Sequence, residues 1–280
     1  MTYGRRELLG LLCGAAVANG EQIATREYRA RATVLLFSLP LFHRENVGTG
    51  YLRVAERAEG GRKELQLEFG AGSLPAQAAG LNRLGVFEET VVEAGGKVES
   101  AAYSGFMTTS KEKDFKEAKT ALAKGDALTF TAVSGRIEGG RLSNRLLRVG
   151  GLPAKTWANR EEIKLYIFSR LAEAGSREAE ETRVGSEAVS PFLYAIRGAM
   201  SAAGLSDSRR FVHNGKLHHL RTKKSVAGQG ETEMEGRILD GTGAELSAFR
   251  LWFEAGRIDA GPVRFEFRPR SFLRLRFERV

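Results

Sequence analysis

The sequence predicts a mainly β protein, built as one curved antiparallel sheet (a half-barrel or open barrel) with two or three short helices. Three observations favour this fold: glycine-rich two-residue turns recur along the chain, apolar and polar residues alternate between them, and helical patterns are few. With 280 residues, such a sheet can bury a sizeable core without disulfides, because longer chains bury a larger fraction of their surface.

The first residues predict a targeting segment that is not part of the sheet. Arg5 and Arg6 precede the apolar run 8–18, which has the length of a signal peptide, is too short to span a bilayer and ends on an A-x-A pattern. We therefore expect 1–18 to be a twin-arginine-like or a general secretory signal and the protein to be exported to the periplasm. Cys13, the one cysteine, lies inside this segment, so the mature chain would contain no thiol.

The remainder, 19–280, is expected to form a single β-rich domain, or two lobes of one sheet joined by the polar segment 172–186. No later apolar run is long enough for a transmembrane helix. The formal charge of +9 could attract anionic lipid, acidic glycans or nucleic acid, or serve only solubility. Export makes nucleic acid the least expected of these partners.

Asn214-Gly215 gives the sharpest of the predicted turns. Both residues tolerate the positive φ of a type I′ turn, whose twist matches that of the flanking strands. A two-residue loop here sets the register of its hairpin to the pairs His213–Lys216, Phe211–His218 and Arg210–His219. Weaker turns of the same kind are predicted at Gly60-Gly61, Gly95-Gly96, Gly139-Gly140 and Ala255-Gly256.

Period-two alternation predicts which side chains face the core. Alternation also marks three earlier strands, within 28–36, 65–69 and 128–132. Pro40, inside the apolar segment 34–42, predicts a bend that either rims a hydrophobic cavity or belongs to the core. The clearest case is the C-terminus, where six apolar residues are expected on the core face: Val263, Phe265, Phe267, Leu273, Leu275 and Phe277.

One helix is predicted after Ser190, which would be its N-cap, with Pro191 at the first helical position and Gly204 just past the end. Its apolar face would comprise Phe192, Ala195, Ile196 and Ala199.

Two further helical segments are predicted in the middle of the chain. Ser110 would cap the first, which ends at Gly125. Asn159 and Glu162 resemble a capping box for the second, although 164–168 also suits a strand. The apolar stripe of the second helix would be Ile163, Tyr166, Ile167 and Leu171.

Three histidines within seven residues, His213, His218 and His219, suggest a metal site. The predicted register argues against one, because it places His219 on the opposite face from the other two, whereas zinc needs three or four converging ligands. We expect a polar, solvated hairpin, with no metal and no cofactor.

No constellation of catalytic residues is recognised. Nucleophile-elbow, Walker-type and Rossmann-type glycine spacings do not occur in a suitable context. The adjacent carboxylates Glu88-Glu89 and Glu161-Glu162 are expected to face water and not to form an acid/base pair. The sequence therefore predicts a protein that is not an enzyme.

An arginine ladder near the C-terminus is the most distinctive charged feature. It is interpreted either as a basic surface for anionic lipid or a polyanion, or as a solvated outer face that discourages edge-to-edge aggregation. The ladder consists of Arg264, Arg268, Arg270, Arg274 and Arg276.

Several short motifs resemble a family of uncharacterised bacterial periplasmic proteins, a domain of unknown function. They are the early strand from Tyr28, the helix segment 190–197 (SPFLYAIR), the turn 214–217 (NGKL), and the C-terminal pair Leu251-Trp252-Phe253 and 261–265 (GPVRF). Leu217 replaces the usual aromatic residue, Phe272-Leu273 stands where glycine is common, and 105–175 matches poorly. The resemblance implies a curved antiparallel sheet related to lipoprotein-carrier half-barrels, and it implies no catalytic residues.

Together these features predict an exported envelope protein that binds a hydrophobic or amphipathic ligand, such as a lipid, in the concavity of its sheet. The alternative is a structural or protein-interaction module of the cell envelope. A closed apolar pocket of roughly 300–1,000 Å³ would favour ligand binding, whereas a filled core would favour the structural alternative.

Overall fold

The computed structural model describes the chain in twelve stretches. The sequence predictions for 1–18, with Cys13, and for the helix 110–125 lie outside them. Neither helix described below is long and apolar enough to cross a membrane. The described residues are 22–36, 39–78, 80, 82–108, 128–152, 156–174, 180–184, 189–213, 215–254, 256–257, 260–270 and 273–280.

All the described strands belong to one fifteen-stranded sheet, in the order β8-β7-β6-β5-β4-β3-β2-β1-β15-β14-β13-β12-β11-β10-β9. Every neighbouring pair is antiparallel except β9 and β10. The strands at its two ends, β8 and β9, are not paired with each other, so the sheet does not close into a barrel. The prediction of a mainly β fold is confirmed. The strands are β1 (Gln22–Leu36), β2 (Leu39–Glu59), β3 (Arg62–Ser73), β4 (Leu84–Ala94), β5 (Lys97–Thr108), β6 (Leu128–Glu138), β7 (Arg141–Leu152), β8 (Glu180–Arg183), β9 (Val189–Pro191), β10 (Ser206–His213), β11 (Lys216–Val226), β12 (Glu231–Leu239), β13 (Glu245–Glu254), β14 (Arg264–Arg270) and β15 (Leu273–Arg279).

Two-residue connections join four of the predicted hairpins. At Gly60-Gly61 both φ angles are positive, 58° and 80°, the type I′ conformation that glycine adopts without strain. The β10–β11 hairpin has the predicted register, with His213 opposite Lys216 and Phe211 opposite His218. The turn residues therefore encode the local pairing correctly.

Ala255-Gly256 does not form the predicted two-residue turn. Strand β13 ends at Glu254 and β14 begins at Arg264, so the connection is a longer loop. The Tyr28 hydroxyl donates a hydrogen bond of 2.9 Å to the Pro262 carbonyl. This contact holds the loop against β1, which a tight turn could not reach.

The predicted face of β1 holds only in part. Tyr28 and Ala30 are buried, but the register with β2 then shifts twice, and Thr33 and Leu35 are buried while Ala32 and Val34 are only half-buried. Bulges interrupt strict alternation, because an extra residue changes the side to which later side chains point. In β3, by contrast, Leu65 and Leu67 are buried as predicted.

The sheet overlaps itself instead of closing through hydrogen bonds. Val212 and Leu217, on the side of the β10–β11 hairpin opposite Phe211, pack with Ile137 and Leu142 of β6 and β7. Strand β8, within the polar segment predicted to join two lobes, pairs with β7 at one end of the sheet. Packing of side chains therefore joins regions that are far apart in strand order.

Helix α1 (Arg160–Glu173) lies against the outer face of β4–β7. The predicted helix is confirmed, and three members of its stripe are buried, but Tyr166 is exposed. Asn159 is the N-cap residue but makes no side-chain cap hydrogen bond, so the predicted capping box does not form. The closed core beneath α1 comprises Ile163, Ile167, Leu171, Leu84, Val86, Phe106, Phe130, Ala132 and Val149.

Helix α2 (Phe192–Ser201) lies against the inner face of the same sheet. It is shorter than predicted, because Ser190 and Pro191 belong to β9 and pair with β10. Ala195 and Ala199 are fully buried against the sheet. Within the residues that the structure describes, each face of the sheet thus carries one helix.

Candidate functional site

The inner face of the sheet and helix α2 surround an apolar cavity of about 550 Å³. Strands β1–β5 form one wall and β10–β15 the other, so the sheet must curve strongly. Its apolar lining comprises Leu52, Val54, Leu67, Phe69, Ala71, Phe87, Met107, Phe192, Leu193, Ile196, Met200, Ile238, Leu246, Phe249, Leu251, Pro262, Phe265, Phe267, Leu275 and Phe277.

An aromatic cluster forms part of the cavity wall. Phe265 and Phe277 stack in parallel with ring centroids 4.5 Å apart. Tyr28 and Phe69 meet Phe265 edge-on, at 5.3 and 5.6 Å. Such offset and edge-to-face contacts give rigid packing, so this wall is a preformed surface.

Both ends of helix α2 are held by buried charged side chains from the sheet. The Glu89 carboxylate accepts hydrogen bonds from the backbone N–H groups of Leu193 and Tyr194, at 2.7 and 2.9 Å. The Lys224 ammonium donates to the carbonyls of Met200, at 3.1 Å, and Ala202. A negative group at the N-terminus and a positive group at the C-terminus both complement the helix dipole.

Arg209 holds the helix at a third point. Its guanidinium donates a 3.0 Å hydrogen bond to the Gly198 carbonyl and is paired with Asp207. A Cβ at position 198 would lie 2.6 Å from the guanidinium, so only glycine permits the contact as it stands. Polar contacts therefore fix the position of α2, which in turn sets the shape of the cavity.

Glu89 does not face water as the sequence predicted. It is almost completely buried, and burial raises its pKa to about 7, while the backbone hydrogen bonds from α2 act in the opposite direction. Its neighbour Glu88 is instead ion-paired with Lys164 of α1, at 3.1 Å. Adjacent residues of one strand thus serve the helices on opposite faces.

His213 and His218 line the cavity, which corrects the prediction of a solvated hairpin. The His213 ring packs against Phe87 and Phe192, each at 5.0 Å. Burial, together with the nearby His218, lowers the pKa of His213 to about 4, and burial lowers the pKa of His218 as well. Both rings are therefore neutral near pH 7 and can only exchange hydrogen bonds with a ligand.

The cavity opens at what we name the upper end of the sheet, where β10 passes into β11, β12 into β13 and β14 into β15. Phe267, which was predicted on the core face, points into the cavity, but 38% of its surface is exposed at this end. Leu246 also lines the cavity here and is 56% exposed. Four of the six residues predicted on the core face, Phe265, Phe267, Leu275 and Phe277, line the cavity and do not fill a core. The other two, Val263 and Leu273, are half-buried and do not belong to its wall. Ser247, His213 and His218 give this end its polar groups.

Four arginines of the ladder, Arg264, Arg268, Arg274 and Arg276, lie on the outer face of β14 and β15. Arg264 is paired with Glu231 at 3.0 Å and lies over the Trp252 ring. Arg276 is paired with Glu278, at 2.7 Å, across from Glu266. Arg268 is exposed and Arg274 is half-buried, while Arg270 is the last residue of β14. The ladder is thus partly neutralised at its lower end and more accessible near the upper end.

The bend at Pro40 neither rims the cavity nor joins the core. Leu39 and Leu41 on either side of it are 71% and 67% exposed, and Phe42 is 54% exposed. No residue of 39–42 contributes to the cavity wall. These exposed apolar side chains, close to the turn between β1 and β2, form a surface feature that is separate from the cavity.

No cluster of three or more potential metal-binding side chains occurs in the part of the chain that the structure describes. The ring centroids of His213 and His218 are 6.4 Å apart. His219 lies on the other side of the strand, as the register predicted.

Comparisons with known proteins identify no family for this chain. No family model matches it, and no curated protein does so. One similar solved structure is a beta-barrel-like protein of the domain of unknown function DUF1849 from Brucella abortus, with 8% sequence identity and a TM-score of 0.45. The alignment covers 91% of this chain and 96% of that one.

Proposed function

We propose that this protein binds a hydrophobic or amphipathic ligand, of the size of a single lipid chain, in the cavity of its curved sheet. The observation that carries the proposal is the cavity itself, at about 550 Å³ with an almost wholly apolar lining. Ligand pockets of proteins typically span about 300–1,000 Å³. A purely structural core would leave no empty space of this size, because protein interiors are close-packed.

The arrangement of polar groups supports an amphipathic ligand in particular. His213, His218 and Ser247 lie near the upper end, where Leu246 and Phe267 are exposed. Further inside, the wall consists mainly of the phenylalanine cluster and aliphatic residues, together with Arg197 of α2, which is paired with Glu56 at 3.3 Å. A ligand would place its chain against the aromatic wall and its polar end beside the histidines.

The proposed role is binding and not catalysis, and the proposed location is the cell envelope. The N-terminal signal pattern supports export, and the described cavity wall contributes hydrogen-bonding groups but no paired carboxylates. Glu89, whose pKa is strongly perturbed, serves as a helix cap and is bonded to the backbone of α2.

Filling the cavity tests the proposal. A Cβ at Gly85 would have its nearest neighbours at 3.7 and 3.8 Å, so a side chain there can extend into the cavity beside Ala71. We expect Gly85→Leu combined with Ala71→Leu to weaken binding of a dansyl-labelled fatty acid about tenfold or more, because two leucines occupy the space of a chain segment. Fluorescence titration of the purified protein measures the affinity.

Ala102→Leu is the matched control, because it adds the same side chain at an exposed position of β5. It should leave the affinity for the probe unchanged. The proposal fails if the unaltered protein binds no probe and retains no extractable lipid, or if the cavity-filled variant binds as well as the control.

A further inference from the structure

Two neighbouring hairpins at the upper end of the sheet differ sharply in chemistry. In the first, between β1 and β2, residues 32–42 contain no charged side chain. Leu39, Leu41 and Phe42 at its tip are the exposed apolar residues described above, and we name them the apolar tip. Three large apolar side chains clustered on one exposed hairpin mark an interaction surface, since single exposed ones are common but contiguous ones are not.

The second hairpin, between β14 and β15, is basic. Residues 267–275 contain three arginines and no acidic residue. Arg268 is exposed and Arg274 is half-buried. The acidic groups nearby are already paired, Glu45 with Arg31 at 2.6 Å and Glu278 with Arg276 at 2.7 Å. Among the side chains that the structure describes in this hairpin, Arg268 and Arg274 form no ion pair, so the hairpin presents positive charge.

The sheet places these two hairpins side by side. Strands β1 and β15 are hydrogen-bonded neighbours, with Thr33 opposite Arg274 and Val34 opposite Leu273. Val34 is in turn opposite Phe42 of the apolar tip. Leu275, which follows Arg274 in β15, lines the cavity. Apolar tip, basic hairpin and cavity opening thus form one continuous surface at the upper end.

We propose that the upper end of the sheet docks on an anionic lipid bilayer, with the apolar tip inserted at the interface and the arginines of the β14–β15 hairpin on the lipid head groups. Apolar side chains beside basic ones are the combination that binds anionic membrane surfaces, because burial and electrostatic attraction add. The docked orientation would turn the cavity opening towards the bilayer. This inference is independent of what the cavity holds.

Charge complementarity favours a bilayer over a second copy of the chain. Two copies that met through this end would bring their arginine hairpins together, which costs free energy by like-charge repulsion. An anionic bilayer supplies both an apolar layer for the apolar tip and negative charge for Arg268 and Arg274. A neutral bilayer would supply only the first.

Sedimentation with sucrose-loaded vesicles tests the inference. The full chain should bind vesicles of phosphatidylcholine with about 30% phosphatidylglycerol more strongly than pure phosphatidylcholine, and less strongly as salt is raised. Leu39→Ser with Leu41→Ser and Phe42→Ser should reduce the partition coefficient about tenfold or more. The matched control replaces Leu165, Leu205 and Val226, which are exposed elsewhere, by serine, and should bind as the unaltered chain does.

The basic hairpin needs a separate comparison. Arg268→Ala with Arg274→Ala should remove most of the preference for phosphatidylglycerol, about tenfold in partition at low salt. Arg221→Ala with Lys223→Ala, at exposed positions of β11, should not. Every variant keeps residues 1–18, so any contribution of that segment cancels in each comparison.

A fluorescent reporter at the apolar tip tests its insertion into the bilayer directly, without relying on variants that lose binding. In Phe42→Trp, brominated lipids should quench a fraction of the emission that is absent from the parent protein, which has only Trp157 and Trp252. The inference is overturned if the apolar-tip variant and its control bind vesicles equally, or if brominated lipids quench Phe42→Trp no more than the parent protein. It is also overturned if the apolar-tip variant alters only the oligomeric state, which would assign this surface to a second copy.

Discussion

The two helices in the described part of the chain are attached to opposite faces of the same sheet by different physical means. Helix α1 covers the outer face with a stripe of Ile163, Ile167 and Leu171, above a closed core of fully buried side chains. Helix α2 lies on the inner face, where charged residues hold both of its ends and a cavity remains beside it. Apolar packing fills space, whereas point contacts at helix ends position a helix without filling it.

This difference shows where the molecule can accommodate a ligand. The core under α1 has no room for one, because its rings interlock, Phe106 meeting Phe130 edge-on at 5.6 Å. The inner face has a rigid aromatic wall but leaves space in front of it. Anchoring α2 through Glu89 and Lys224 keeps that space from collapsing, which apolar packing alone would tend to cause.

Replacing one phenylalanine on each face by alanine should give the largest difference between the two faces in the free energy of unfolding. Phe130→Ala in the closed core should lower the free energy of unfolding by about 3–5 kcal/mol, because it leaves a cavity. Phe267→Ala at the cavity opening should lower it by under about 1 kcal/mol, since this side chain is 38% exposed. Chemical denaturation measures both, and equal losses would contradict the contrast between a filled and an open face.

Glu89 and His213, two buried groups on the inner face, should make stability depend on pH in opposite directions and by similar amounts. Glu89 has a pKa of about 7 in the folded protein against an ordinary 4.5, so between these values the folded state binds more protons and stability falls as pH rises. His213 has a pKa of about 4 against 6.5, so there the unfolded state binds more protons and stability rises with pH. The two effects offset each other between about pH 4.5 and 6.5.

Single substitutions should expose each effect. In Glu89→Gln, stability should fall by about 2 kcal/mol or more as the pH is lowered from 7 to 4.5, because the lowered pKa values of His213 and His218 are no longer offset by Glu89. In His213→Phe, stability should fall as the pH is raised over the same range, by a smaller amount because His218 still acts against Glu89. Denaturation at a series of pH values measures the slopes, and slopes of the same sign in both variants would refute the assignment.

The smallest effect is expected at the start of α1. Asn159→Ala should change the free energy of unfolding by under about 0.5 kcal/mol, although an asparagine N-cap is ordinarily worth about 1 kcal/mol. The reason is that its side chain makes no cap hydrogen bond, and the helix is held by its stripe. A loss of 1 kcal/mol or more would show that α1 also depends on its end.

Features that depend on residues close in sequence were predicted well. The Asn214-Gly215 pair led to the correct register of β10 and β11, and the spacing of Ile163, Ile167 and Leu171 identified the buried stripe of α1. Predictions failed where longer-range contacts intervene, as at Ala255-Gly256, where the loop is held by β1. Neither the bulges of β1 nor the solvent exposure of Tyr166 could be recognised from the spacing of apolar residues.

The candidate site was predicted only in outline. An inward apolar face near Phe265 and Phe277 follows from alternation, but whether that face meets a filled core or a cavity does not. The caps of α2 were missed because Glu89 lies 104 residues before the N–H that it binds. The one available signal, a charged residue at a core-facing position of a strand, also fits an exposed strand.

The sequence by itself determined the mainly β fold, four of its two-residue turns and the apolar side of strands such as β3, because these follow from φ preferences and a two-residue period. Only the tertiary structure decided that the inner face encloses a cavity, that Glu89 and Lys224 are helix caps and that the apolar tip is exposed. These depend on how far the sheet curves before its ends overlap. Curvature is set by the packing of strands and helices distant in sequence, which no local pattern records.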